Sequence, residues 1–274
     1  MTDRINGPDA DGGGVDGATL ASVAQGSGRR VVLVHGFTQS KSSWSSIAKQ
    51  LCKSYEVVAI DLPDHGDSAK VHATSLEDAA ELVAAVGGPA TYVGYSLGGR
   101  VCLTLALSHP ELVTSLVLIG ATPGIADKAD RAARVVADNA LADRLDPRDG
   151  TTPGLSLDAF LAEWLAGPLF AHLTAEQADV AARSSNTPAG LARSLRTTGT
   201  GTQVPSYGHL VELAMPVLLV AGGNDQRFSA IAREMATSIG TNAATAFVEG
   251  AGHAAPFEAP DAFVKLVEAF VERD

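Results

Sequence analysis

Cysteine is scarce in this chain: Cys52 and Cys102 are the only two among 274 residues. Two thiols make neither a disulfide framework nor a metal site, and both are expected to be small buried hydrophobes in a reducing, cytoplasmic setting. Positive charge is also short. Twenty Lys and Arg face 31 Asp and Glu, a formal net charge of −11. A negative field of this kind repels nucleic acid and anionic membrane surfaces, so neither is an expected partner. The apolar runs, such as VVLV and VLLVAG, fall far below the roughly 20 residues that span a bilayer. The opening stretch MTDRINGPDADGGGVDG has no basic start and no apolar segment, so a secretory leader is not expected. Signatures of nucleotide and zinc chemistry are missing too. The chain contains no G-x-x-x-x-G-K-[ST], no G-x-G-x-x-G after its first strand and no H-E-x-x-H. No cofactor and no metal are expected.

What is present is an ordinary globular composition, 46% hydrophobic and 19% charged, long enough to bury most of its apolar surface. Residues 1–17 are rich in Gly and Asp and read as a loose tail, because they have little apolar surface to offset ordering entropy. From about residue 30, short apolar runs alternate with helical spacing. Runs at 31–34, 57–60, 91–94, 116–119, 217–221 and 246–248 read as strands. Segments 43–53, 76–86, 97–108, 231–239 and 262–271 read as helices. This alternation implies βαβ units and a mostly parallel sheet with helices on both faces, an α/β fold. The stretch 123–207 breaks the rhythm. It carries helical patterns at 126–145, 157–166, 175–183 and 189–196 without a convincing strand. It is expected to be a helical cap over the carboxyl edge of the sheet, where open α/β sheets bind ligands. The core is then 18–122 plus 208–274.

The chemistry-bearing signal is Gly94-Tyr95-Ser96-Leu97-Gly98-Gly99, a G-x-S-x-G with a strand running in and a helix running out. A serine hydroxyl is a poor nucleophile or base near neutral pH. It needs an imidazole, and the imidazole needs a carboxylate to fix its tautomer. Strand ends further along the chain supply both in the order this arrangement demands: Asp225 in GGND and His253 in GAGH. Taken alone, Asp225 also reads as the N-cap of the helix that follows, and His253 as a surface-loop histidine. Asp61, in DLPDHG, is a rival acid whose setting reads better as a structural turn. At the first strand end, HGFT places the backbone N–H of Phe37 beside that of Leu97. Together they would form an oxyanion hole, each donor contributing about 3 kcal/mol to a transition state. His35 reads as a brace for that loop.

Over residues 18–274 the assembled pattern resembles the α/β-hydrolase superfamily. The segments HGFTQSKSSW, DLPDHGDS, GYSLGGR, PGIADKADRAARVVAD, EWLAGPLF, RSSNTPAGLARSLRTTGTGTQ, GGNDQRF and GAGHAAPFEAP resemble, more closely, the 2-succinyl-6-hydroxy-2,4-cyclohexadiene-1-carboxylate (SHCHC) synthases of menaquinone biosynthesis. Two positions depart from the pattern. Gln39 stands where a small residue is usual, near the pocket, and Asp64 stands where DLPGHG has glycine, which reads as a surface-turn change.

The resemblance implies an α/β-hydrolase fold with a helical cap, and a lyase that eliminates pyruvate from 2-succinyl-5-enolpyruvyl-6-hydroxy-3-cyclohexene-1-carboxylate. It implies Ser96 as general base, activated by His253 and Asp225, with Phe37 and Leu97 holding the enolate. The substrate carries three carboxylates, so a small polycarboxylate is the implied partner. The same resemblance makes Arg100, Arg134 and Arg183 its carboxylate ligands, with Tyr95 and Trp164 lining the pocket. Arg131 is an alternative to Arg134. A serine esterase or thioesterase acting on a small carboxylate-bearing ester would use the same triad. A binding protein on this fold would have no reason to keep all three triad residues, and a dehalogenase would need a carboxylate at position 96. The residues leave monomer and homo-oligomer equally open.

Overall fold

Strands and helices alternate along the computed structural model of the protein, which describes residues 19–171 and 173–272. In chain order they are β1 (Ser22–Gln25), β2 (Arg30–Val34), α1 (Ser45–Leu51), β3 (Glu56–Ile60), α2 (Leu76–Gly87), β4 (Ala90–Tyr95), α3 (Leu97–Ser108) and β5 (Val113–Ile119). Five helices follow without an intervening strand: α4 (Lys128–Leu145), α5 (Leu157–Leu165), α6 (Ala175–Ala178), α7 (Val180–Arg183) and α8 (Pro188–Thr198). The alternation resumes with β6 (Val217–Gly222), α9 (Gln226–Ile239) and β7 (Ala243–Val248), then α10 (Ala255–Glu258) and α11 (Pro260–Val271). The expected tail, 1–17, lies outside the described residues.

The seven strands form one sheet in the order β1-β3-β2-β4-β5-β6-β7. Every neighbouring pair is parallel except β1 with β3. The central strands are apolar on both sides, as a sheet covered on both faces requires. On β2, Val32 and Val34 pack with residues of α2, α3 and α9. Val31 and Leu33 face the other way, onto α1 and α11. The sheet is the mostly parallel α/β sheet expected from the sequence. β1 is new: its residues Ser-Val-Ala-Gln are all exposed, and its backbone pairs with the edge of β3.

Residues Ala142, Leu145, Phe160, Leu161, Leu191, Ala192 and Leu195 of α4, α5 and α8 make a separate apolar cluster. Asp127 caps α4 through the N–H groups of Ala129 and Asp130, which puts the helix start at Lys128 rather than Ala126. The expected single helix over 175–183 is two short helices. Asp179 sits between them in the left-handed region, at φ 47°, and ends the first helical turn there. Cys102 is fully buried, as expected, whereas Cys52 is only half-buried at the end of α1.

Candidate active site

The turn between β4 and α3 holds Ser96 at φ 53°, ψ −107°. A non-glycine residue adopts such a conformation only under strain, and this strain lifts the hydroxyl off the sheet edge. Close packing around the turn explains its glycines. A Cβ on Gly98 would collide with the carbonyl oxygen of Val34 in the neighbouring strand.

Two further strand ends bring their residues to the same place. Asp225 follows β6, and His253 follows β7. His253 Nδ1–H donates to Asp225 Oδ2 at 2.9 Å, and the Ser96 hydroxyl donates to His253 Nε2 at 3.3 Å. Because the carboxylate accepts at Nδ1, the proton resides there and the lone pair of Nε2 faces the serine. The His253 side chain is 1% exposed and that of Asp225 10%. Burial pushes the Asp225 carboxyl up, but the hydrogen bonds from His253 and the Phe228 N–H outweigh it and hold the group below the usual carboxylate range. The imidazole is seated by its neighbours. Phe228 packs on it with ring centroids 4.5 Å apart. The Glu258 carboxylate accepts from the N–H groups on both sides of it, Gly252 at 2.7 Å and Ala254 at 3.0 Å. Below the ring lies Gly120, at φ +55°, where a Cβ would come within 2.8 Å of His253 Cε1.

Asp61 has other work. Its Oδ1 accepts from the Lys41 N–H and its Oδ2 from Lys41 Nζ and the Asp67 N–H, so it ties the β3 exit loop to the segment after β2. His35 is fully buried beside it. Its Nδ1–H donates to Gly36 O at 2.8 Å, and its Nε2 accepts from the Leu62 N–H at 3.0 Å.

A cavity opens over Ser96 and His253. Phe37 and Leu97 line it, as do Arg100, Arg134, Trp164, Arg227 and Phe228. Leu97 begins α3, so its N–H has no intrahelical acceptor. Arg100 is buried. One guanidinium nitrogen donates to Thr198 O at 2.8 Å and another reaches Gln203 Oε1 at 3.4 Å. No carboxylate pairs with it among the described residues; burial, then the charge of Arg134, lowers its pKa to about 10. Arg134 donates to Asp138 Oδ1 at 2.8 Å and is 40% exposed. Arg131 does not line the cavity and instead bonds back to the Ile125 carbonyl at 3.1 Å.

Arg183 and Tyr95 sit elsewhere than the sequence pattern suggests. Arg183 is 2% exposed; it donates to Ala178 O and to Thr38 Oγ1 and stands 6.0 Å over the Phe170 ring. Neither it nor Tyr95 is among the residues lining the cavity. Tyr95 packs behind the site, with its ring 5.5 Å from that of His253, and burial pushes its phenol up. Gln39 is buried as well, and its side-chain oxygen accepts from the Gly36 N–H at 3.0 Å, which braces the loop that presents Phe37. Phe228 and Glu258 were not singled out by the sequence. Their only signal is position, next to Asp225 in GGNDQRF and close after His253 in GAGHAAPFEAP. Among the described residues no three His, Cys, Asp or Glu side chains cluster so as to hold a metal ion. No helix among them is long and apolar enough to cross a membrane.

A profile described as the alpha/beta hydrolase family matches residues 31–266. A provisional 2-succinyl-6-hydroxy-2,4-cyclohexadiene-1-carboxylate synthase of Bacillus subtilis (strain 168) is 34% identical over 93% of this chain and 96% of its own length. The synthase of that name from Serratia proteamaculans (strain 568) is 33% identical over 88% of this chain and 92% of its own. Among solved structures, MenH from S. aureus superposes with a TM-score of 0.84 at 28% identity, covering 92% of this chain and 98% of that one.

Proposed function

The chain belongs to the alpha/beta hydrolase family, and we propose that it is the synthase its relatives are named for: a carbon–oxygen lyase that forms SHCHC by eliminating pyruvate from 2-succinyl-5-enolpyruvyl-6-hydroxy-3-cyclohexene-1-carboxylate in menaquinone biosynthesis. Supporting this reading is one feature above the others. Two arginines, Arg100 and Arg134, line the same cavity as Ser96 and His253. A triad alone suits ester hydrolysis equally well, but a hydrolase of uncharged esters has no need of a buried guanidinium, without a carboxylate partner, beside its serine. A tricarboxylate substrate does.

In this mechanism Ser96, its proton taken by His253, acts as general base on the ring carbon next to the succinyl carbonyl. The electrons of the broken C–H bond form an enolate, whose oxygen receives hydrogen bonds from the N–H groups of Phe37 and Leu97. They then move through the ring double bond and expel the enolpyruvyl oxygen. The departing pyruvate enolate takes up the proton held on His253, which returns the imidazole to its neutral form. Asp225 stabilises the imidazolium that exists between the two proton transfers. Arg100 and Arg134 bind substrate carboxylates and Trp164 forms a wall of the cavity. The five helices over 123–207 act as a cap that supplies Arg134 and Trp164. We place the enzyme in the cytoplasm, in keeping with its two unpaired cysteines.

The test is to supply the enolpyruvyl substrate and follow pyruvate with coupled lactate dehydrogenase. Substrate-dependent pyruvate release is expected. Stable acylation by p-nitrophenyl esters, with no pyruvate formed, would instead identify an esterase.

A further inference from the structure

Among the described residues three arginines line the cavity, Arg100, Arg134 and Arg227. Arg183 is buried behind the wall and bonded to Ala178 O and Thr38 Oγ1. Arg227 is the arginine the sequence reading passed over. It stands two residues after Asp225, is exposed, and lines the cavity together with Ser96, Arg100, Arg134 and His253. Among the described residues it makes no side-chain hydrogen bond and no ion pair; its guanidinium carbon lies 5.7 Å from the centroid of the Phe228 ring.

The sheet order sets the spacing. Arg100 is carried by α3, which leaves β4, and Arg227 by α9, which leaves β6. The strands β4 and β6 are separated by β5, so their ends lie about 10 Å apart. Arg134 belongs to the Arg100 side: its partner Asp138 lies against Gly199, next to Thr198, whose carbonyl accepts from Arg100. Cations therefore flank the serine and histidine on two sides, in a protein whose overall charge is −11.

We infer that Arg227 is a substrate-binding residue that holds one carboxylate of the substrate at the cavity rim, across the reacting centre from Arg100 and Arg134. The proposal rests on the lyase reading for the identity of the substrate. It adds a requirement: a good ligand carries carboxylates at two ends, so that both sides of the cavity are neutralised together. A ligand with one carboxylate satisfies one side only.

The experiment compares wild type, Arg227→Ala and Arg227→Lys. Arg227 is exposed, so all three are expected to fold, with equal thermal midpoints as the check. For pyruvate release, Arg227→Ala is expected to raise KM about tenfold or more, with kcat within about threefold, and Arg227→Lys to recover part of the loss. An unchanged KM in Arg227→Ala, with pyruvate still released, overturns the role of Arg227 and leaves the elimination standing. If wild type releases no pyruvate, the elimination reading falls and binding decides the arginine separately. Calorimetric titration with citrate should then show roughly tenfold weaker affinity in Arg227→Ala, and little difference between the proteins with acetate. Equal citrate affinity, or no citrate binding by wild type, overturns the proposal.

Discussion

Asp225 grips His253 with one carboxylate oxygen and caps a helix with the other. Its Oδ2 accepts the His253 Nδ1–H at 2.9 Å, while its Oδ1 accepts the Phe228 N–H at 3.0 Å in the first turn of α9. The geometry accommodates both readings that compete in the sequence, N-cap and triad acid. They can be separated by substitution. Asp225→Asn keeps an oxygen for the cap but removes the anion that selects the tautomer. It is expected to lower kcat by about 10³- to 10⁴-fold with little change in urea midpoint. Asp225→Ala should show the same kinetic loss and a further destabilisation of about 1 kcal/mol. Equal stability of the two variants would refute the double role.

Under the proposed mechanism Ser96→Ala removes the group that takes the ring proton and leaves the arginines in place. The expected result is a fall in kcat of at least about 10³-fold with KM nearly unchanged, read by pyruvate release. A variant turning over at near-normal rate would show that another group takes the proton.

Asp64 corrects an expectation. It is not a surface-turn residue but 1% exposed, at φ 67°, and its Oδ1 accepts from Arg193 Nη1 at 2.9 Å and from His72 Nδ1 at 2.6 Å. The glycine usual in this loop would suit the left-handed backbone, but the aspartate ties the loop to α8. Arg193→Ala is expected to destabilise the protein by about 1–2 kcal/mol in urea unfolding, less than for a fully buried pair because the arginine side chain is partly exposed. Asp64→Gly should be less damaging than Asp64→Ala by about 1 kcal/mol, since glycine relieves the backbone while both lose the pair. The reverse order would show that the backbone carries no strain there.

His35 and His65 supply a pH dependence. Burial, and then the neighbouring His65, holds His35 well below the ordinary imidazole range, and burial lowers His65 as well. Both nitrogens of His35 are committed to the backbone, so a second ring proton would displace the Leu62 N–H. Below about pH 6.5 the unfolded chain takes up protons that the folded one refuses. The stability from each is therefore complete above that pH and lost as pH falls, at up to about 1.4 kcal/mol per unit per histidine. Urea midpoints from pH 7 to 5 should fall more steeply for wild type than for His35→Gln. Parallel curves would show that His35 takes a proton in the folded state.

The parallel sheet was legible because apolar runs and helical spacing alternate over most of the chain, and the serine turn because its glycines, strand and helix are contiguous. What could not be read has a common cause. The edge strand β1 has no alternating apolar pattern, since it forms through backbone pairing with β3. The burial of Asp64 depends on Arg193, 129 residues away. Arg183 lies in a segment resembling the family's ligand, yet its burial is decided by Thr38 and Phe170 on distant elements. The break at Asp179 is a single left-handed residue inside an otherwise helical pattern. Arg227 lies in GGNDQRF, but only the fold shows that the first turn of α9 faces the cavity.

Gly120 carries a consequence for the whole neighbourhood. The His253 imidazole rests where this position has no side chain, and a Cβ there, 2.8 Å from its Cε1, would force the ring or the backbone to shift. Saturation of position 120 should therefore yield folded but inactive proteins for nearly every replacement. Restoring Ser96, Asp225 or His253 by reversion would therefore recover little while position 120 still carries a side chain.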